Sequence, residues 1–235
     1  MKLILSIITL LNIFLITLLG ISTAPQETQS ASASKRSKIP TNITPPAARA
    51  SAVTRYQIDP AHSRFMANVG SGGVFWFLGH NHHFAIKDFA GEVAFTPENI
   101  TTASLQMTIK AASLEETGKN FTDQQKQIIN QSARKEVLEV EKYPEIIFKS
   151  TAITGEMKTN GQYEVKIKGN LSLHGVTRLI EIPAQVTVNG NTLRSTGEFS
   201  IDRNDYGVKT HAIKWGTIRV RNEIKFEFDI VANKV

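Results

Sequence analysis

No cysteine occurs anywhere in the 235 residues. That absence excludes a disulfide framework, thiolate metal sites and the lipid-bearing cysteine of a bacterial lipoprotein. Folding in an oxidising compartment must then rest on the hydrophobic core, for which roughly 180 residues suffice. A positive surface on the main domain is missing as well. Lysine and arginine total 27 against 21 aspartates and glutamates, a formal net charge of +6. Six of those bases and one acid precede Tyr56, leaving 21 bases against 20 acids in the remainder. The basic character belongs to the N-terminal region, and nothing in the rest points to nucleic acid.

Residues 25–54 lack aromatic residues and any hydrophobic period, and are rich in Ser, Ala, Thr, Gln and Pro. They read as a disordered basic tether, either a solvated spacer or a segment making transient contact with anionic lipid heads. Ahead of it, Met1-Lys2 opens an apolar run that continues to Ile21, followed by the small residues Ser22 and Ala24. A short positive start, an apolar middle and small residues describe an export signal over residues 1–24. The run also approaches the ~17–25 residues of a membrane span, so an uncleaved anchor stays open. Ser6, Thr9, Asn12 and Thr17 interrupt it and favour cleavage. The expected location is periplasmic or secreted, with a membrane tether if the segment is retained.

From Tyr56 the pattern changes to period two, the mark of half-buried strands. Between Tyr163 and Leu173 every odd position is apolar or glycine and every even one polar. Leu105, Met107 and Ile109 form a second stripe, and Ile180, Ile182, Ala184, Val186 and Val188 a third. Leu193, Phe199 and Ile201 align with Ser195 and Gly197 between them. In the last strand Ile218, Val220, Ile224, Phe226, Phe228 and Ile230 face one way and charged residues the other. At ~3.3 Å per residue, 217–231 would run about 50 Å unbroken. Such long one-faced strands need a concave wall, which favours a barrel over a flat sandwich.

Asn160-Gly161 and Asn189-Gly190-Asn191 signal tight hairpins. Pro97-Glu98-Asn99 and Gly70-Ser71-Gly72-Gly73 read as looser loops. Asn120 to Leu138 departs from period two, with Phe121, Ile128, Ile129, Ala133 and Val137 at roughly helical spacing. One or two helical turns are expected there, over an end or side of the barrel and closed by Tyr143-Pro144. The expected class is mainly β, an extended antiparallel lipocalin-like barrel over 55–235 with one or two short helices.

Five segments carry a family resemblance. They are Tyr56-Gln57-Ile58-Asp59-Pro60-Ala61-His62-Ser63, Phe89-Ala90-Gly91-Glu92-Val93-Ala94-Phe95, and Glu141 to Ser150 with its Tyr143-Pro144-Glu145 centre. Gly169 to Thr177 and Arg203-Asn204-Asp205-Tyr206-Gly207 complete the set. In this order they resemble the YceI-like family of bacterial periplasmic polyisoprenoid-binding proteins. The resemblance implies a lipocalin-like barrel holding a long isoprenoid or similar chain, no other cofactor, and allows a homodimer. One stretch departs from it. Where the family pattern carries a polar, often His-Leu-Gly-like segment, this chain has Val74-Phe75-Trp76-Phe77-Leu78-Gly79-His80-Asn81-His82-His83.

The stripes alone fit either a packed core or a ligand-lined tunnel. The resemblance implies the tunnel, with Phe65, Phe95, Leu105, Met107, Ile109, Phe148, Val165, Ile167, Leu171, Val186, Phe199, Ile224, Phe226 and Phe228 along it. Trp76, His80 and His82 are expected at its mouth or near a ligand head group. His80 and His82 share a strand face and form the weak alternative of a zinc or copper site, with Asp88 the nearest acid. Asp59, His62 and Ser63 hold the ingredients of a catalytic triad, but no nucleophile-elbow sequence frames them, so a turn is expected. His174 and Asp205 read as structural hydrogen-bonding residues at strand ends. The leading expectation is a binding protein without enzymatic activity for a long-chain isoprenoid, a quinone or its precursor among the candidates, or for a similar amphiphilic lipid. A metal-binding or redox-linked protein and a ligand-free structural or stress-response module are the rivals.

Overall fold

The computed structural model describes residues 53–73, 79–97, 99–210 and 219–235. The expected signal and nearly all of the tether, Trp76, Glu98 and Ile218 lie outside the described residues. Among the described residues eleven strands form one sheet that closes on itself where β1 (Thr54–Ile58) pairs with β11 (Arg219–Lys234). Five staves are continuous: β7 (Glu145–Thr159), β8 (Gln162–Leu173), β9 (Val176–Asn189), β10 (Thr192–Asp202) and β11. The other three are each broken once. β1 continues as β2 (Arg64–Gly72), β3 (His82–Ile86) as β4 (Phe89–Phe95), and β5 (Ser104–Lys110) as β6 (Leu114–Glu116). The result is an eight-staved antiparallel barrel. At one end β1, β4 and β5 complete the wall, and at the other β2, β3 and β6 do.

Alternation explains the wall. Along β8, Tyr163, Val165, Ile167, Leu171 and Leu173 are all buried while the residues between them face out. Gly169 keeps the same side free because the Phe148 ring occupies it; a Cβ there would lie 2.4 Å from that ring. Gly70, Ser71 and Gly72, expected in a loop, belong to β2, since β11 reaches far enough to pair Arg219 with Gly72. On β11 the step from Val220 to Ile224 faces only two residues of β2, a bulge that preserves the inward parity of the stripe.

The excursion after β6 is longer than the expected turns. Helix α1 (Asp123–Ser132) continues into a π-helical stretch, Ala133–Val137. Thr122 and Gln125 cap its start reciprocally, Gln125 N donating to Thr122 Oγ1 (3.3 Å) and Thr122 N to Gln125 Oε1 (2.8 Å). The excursion covers an open edge. Among the described residues β6 has only β3 as a strand partner, and on its other side Glu116 N donates to Asn130 Oδ1 (2.7 Å) while Arg134 donates to Leu114 O (2.8 Å). Two helix side chains thus stand in for a missing strand.

An apolar cavity inside the barrel

The inward stripes enclose a cavity of about 130 Å³. Ile58, Phe65, Val93, Phe95, Leu105, Met107, Ile109, Phe148, Ile153, Val165, Ile167, Leu171, Ile180, Ile182, Val186, Leu193, Phe199, Phe228, Ile230 and Ala232 line it, with Tyr163 and Ser195 the hydroxyl-bearing members. Ile100 and Ala103, on and just after a single 3-10 turn, reach it from the loop between β4 and β5. Asn99 caps that turn, accepting from Thr101 N at 3.2 Å. The space matches a ring-sized guest, since a dry cavity of ~150 Å³ takes benzene. Ligand pockets usually span ~300–1,000 Å³. A long chain therefore requires the lining side chains, or the wall itself, to give way.

Twelve of the fourteen residues expected along the tunnel line this cavity. Ile224 and Phe226 do not. Phe226 stacks on Phe199 (4.9 Å, 13°) and meets Phe65 at 6.0 Å, so those two rings stand in front of it. Ile224, beside Ile201 in the ladder, packs against the surrounding core. Several further lining residues belong to stripes visible in the sequence, among them Ile180, Ile182, Leu193 and Ile230. Ile100 and Ala103 carry no periodic signal, because an isolated turn has none.

The histidines gather on a partner that sequence spacing did not reveal. His82 Nδ1 lies 2.8 Å from Glu116 Oε2, and the Glu116 side chain has no exposure at all. The same carboxylate accepts His83 N (3.1 Å) and Gly118 N (2.7 Å) through Oε1. His82 stacks flat on Phe121 (5.2 Å, 1°), which His80 meets edge-on at 5.5 Å. His83 points the other way, its Nδ1 2.7 Å from Asn68 Oδ1. Neither His80 nor His82 lines the cavity itself; both pack on Phe121. Asp88 pairs instead with Lys110 at 2.6 Å. Among the described residues no three His, Asp or Glu side chains converge as metal ligands.

Asp59, His62 and Ser63 form a turn. Asp59 Oδ1 accepts Ala61 N (3.1 Å) and Oδ2 lies 2.8 Å from His62 Nδ1, a bond that holds the Asp59 carboxyl below its ordinary range. Ser63 Oγ donates to Asp59 O (2.6 Å) and accepts Val231 N (2.9 Å), so it has no histidine base and ties the break between β1 and β2 to β11. Asp205 serves through its backbone, its carbonyl accepting from Arg178 Nε at 3.1 Å. Tyr206 is 1% exposed, and its hydroxyl has no hydrogen-bond partner among the described residues. Burial, with the Asp205 charge nearby, pushes that hydroxyl above its ordinary pKa despite Arg178.

A closed eight-staved antiparallel barrel with an apolar interior defines the class of lipocalin-like barrels. Residues 56–232 match the YceI-like domain model, and the chain belongs to that family. A UPF0312 protein of Pseudomonas syringae pv. syringae (strain B728a) is 32% identical over 135 residues, 54% of this chain and 64% of the relative. A UPF0312 protein of Pseudomonas putida (strain W619) is 30% identical over the same shares. The chain thus spans a little under two thirds of the length of these curated relatives. The crystal structure of Burkholderia cenocepacia BcnA has a TM-score of 0.59 and 26% identity, covering 75% of this chain and 99% of that one. A polyisoprenoid binding domain from Saccharophagus degradans has a TM-score of 0.57 and 14% identity, covering 77% and 98%.

Proposed function

We propose that the barrel binds one long isoprenoid chain, or a similar amphiphilic lipid, along its interior. The observation that carries this reading is the cavity wall, apolar from the Ile100 turn to Leu171 and interrupted only by two hydroxyl-bearing side chains. The polyisoprenoid binding domain with the same fold supports it. Burying ~15 carbons at ~0.8 kcal/mol each is worth about 12 kcal/mol gross. Immobilising the chain offsets much of that, yet tight binding needs few polar contacts. Export behind the N-terminal segment, a periplasmic carrier or buffering role, and a quinone or its precursor as ligand complete the proposal.

Mass spectrometry of organic extracts from the purified native domain tests it. A stoichiometric long-chain lipid is the expected result, and its absence from repeated preparations would sink the idea. Val186→Trp, which fills the cavity, should abolish uptake of a long-chain prenol. The overpacking should cost only ~1–3 kcal/mol of stability.

A further inference from the structure

The hydrogen-bonded ladder between β9 and β10 stops part-way. It runs from the Asn189–Thr192 pair to the Gln185–Thr196 pair and no further. Yet β9 begins at Val176 and β10 extends to Asp202. On their other edges both strands stay paired, β9 with β8 as far as Val176 and β10 with β11 as far as Asp202. Two strand edges therefore face each other over half the barrel without a ladder.

The sequence supplies one contribution, at the point where the ladder ends. Val188 N donates to Gly161 O on the β8 side (2.7 Å). Successive residues of a strand direct their backbone groups to opposite neighbours, so the odd-numbered residues of β9 face β10. Pro183 is one of them, and it has no N–H to give. Its carbonyl approaches Gly197 so closely that a Cβ there would lie 2.5 Å from it. The strands touch at this point and run unlinked beyond it, until Arg178 meets the 3-10 turn Arg203–Tyr206 through Asp205 O. Behind the unlinked stretch stand Ile180, Ile182 and Phe199 of the cavity wall. Ile180 and Phe199 are only partly buried, and Leu179 on the outer face is 65% exposed.

We propose that this seam is a lateral portal through which a hydrocarbon chain slides sideways into the cavity. The proposal rests on the lipid-binding reading. A cavity of about 130 Å³ cannot take a long chain without yielding. The wall yields most easily where the regular ladder is interrupted, and the parting edges there carry apolar side chains.

Continuing the register places Glu181 opposite Ser200, both exposed. Because the chain has no cysteine, Glu181→Cys/Ser200→Cys introduces two thiols that a bis-maleimide can bridge in the folded protein. Lys168→Cys/Glu181→Cys, across a pair already in the β8–β9 ladder, is the control. Stopped-flow fluorescence with cis-parinaric acid reads association and dissociation, with a long-chain prenol as competitor. Bridging the seam should slow both rates roughly tenfold while moving the equilibrium affinity by less than about twofold. The control bridge should change neither. Pro183→Thr, which restores the missing N–H, should slow exchange in the same direction. Unchanged rates after complete bridging of the seam overturn the portal. Failure of the folded, unbridged protein to bind either probe overturns the lipid-binding reading itself.

Discussion

Glu139 and His174 are the two non-glycine residues with positive φ among the described residues, at 46° and 51°, and they touch, Glu139 Oε2 lying 2.8 Å from His174 Nε2. The first ends the helical excursion; the second sits in the β8–β9 turn. Tyr143 packs its ring on His174 at 4.4 Å. Left-handed backbone at such residues costs about 1–3 kcal/mol each, so the contact must hold both in place. His174→Ala keeps the strain and loses the contacts, whereas His174→Gly relieves the strain. The glycine variant should be the more stable of the two by about 1 kcal/mol in urea unfolding. Equal losses would show that the turn is unstrained.

Glu116 is the buried anchor on the other side of the same helical excursion, at the end of β6. Glu116→Ala leaves two backbone N–H groups and His82 Nδ1 without their acceptor. Loss of about 3–5 kcal/mol is expected, with Glu116→Gln, which keeps one acceptor oxygen, losing less. Calorimetric melting of the two variants checks the order.

Tyr206 should tolerate loss of its hydroxyl. Since that group is buried and has no partner among the described residues, Tyr206→Phe should leave stability at neutral pH unchanged or raise it by up to about 1 kcal/mol. The raised pKa also sets a sign. The unfolded chain releases the phenolic proton first, so stability is full below the ordinary tyrosine value near 10.0 and falls as pH rises through the higher folded value. The variant should lose that part of the alkaline decline. A parallel decline in both proteins would count against it.

Arg194 grips Asp229 across β10 and β11, its Nε lying 2.7 Å from Oδ1, and holds the carboxyl below its ordinary range. The pair is partly exposed, at 60% and 35%, so Arg194→Ala should cost less than about 1 kcal/mol at pH 7. A depressed carboxyl stabilises the fold above its unfolded pKa. The difference between the two proteins should therefore shrink as pH falls through the folded value. Chemical denaturation at neutral and acid pH reads it directly.

The barrel was legible because burial on one face imposes period two, and β8 and β11 show it with few breaks. Most of the cavity wall followed for the same reason. Gly169 and Gly197 looked like gaps in their stripes, but each makes room for a neighbouring aromatic ring. Glu116 was not legible, since its bond to His82 joins positions 34 apart through a strand pairing that spacing cannot show. Of the breaks in three staves, the one at Asp59–Ser63 was legible from its turn residues, and the other two were hidden. Their turns use residues such as Lys87 and Ala111 that carry no strong turn preference.

The closure of the barrel has a kinetic consequence. β1 meets β11 through contacts such as Asn233 Nδ2 to Asp59 Oδ2 (3.1 Å), 174 residues apart in sequence. The loop-closure entropy of such a contact must be met before its reward arrives, which makes it a late and slow step of folding. Until then the nascent sheet carries two long unpaired edges, the form most exposed to mispairing with another chain.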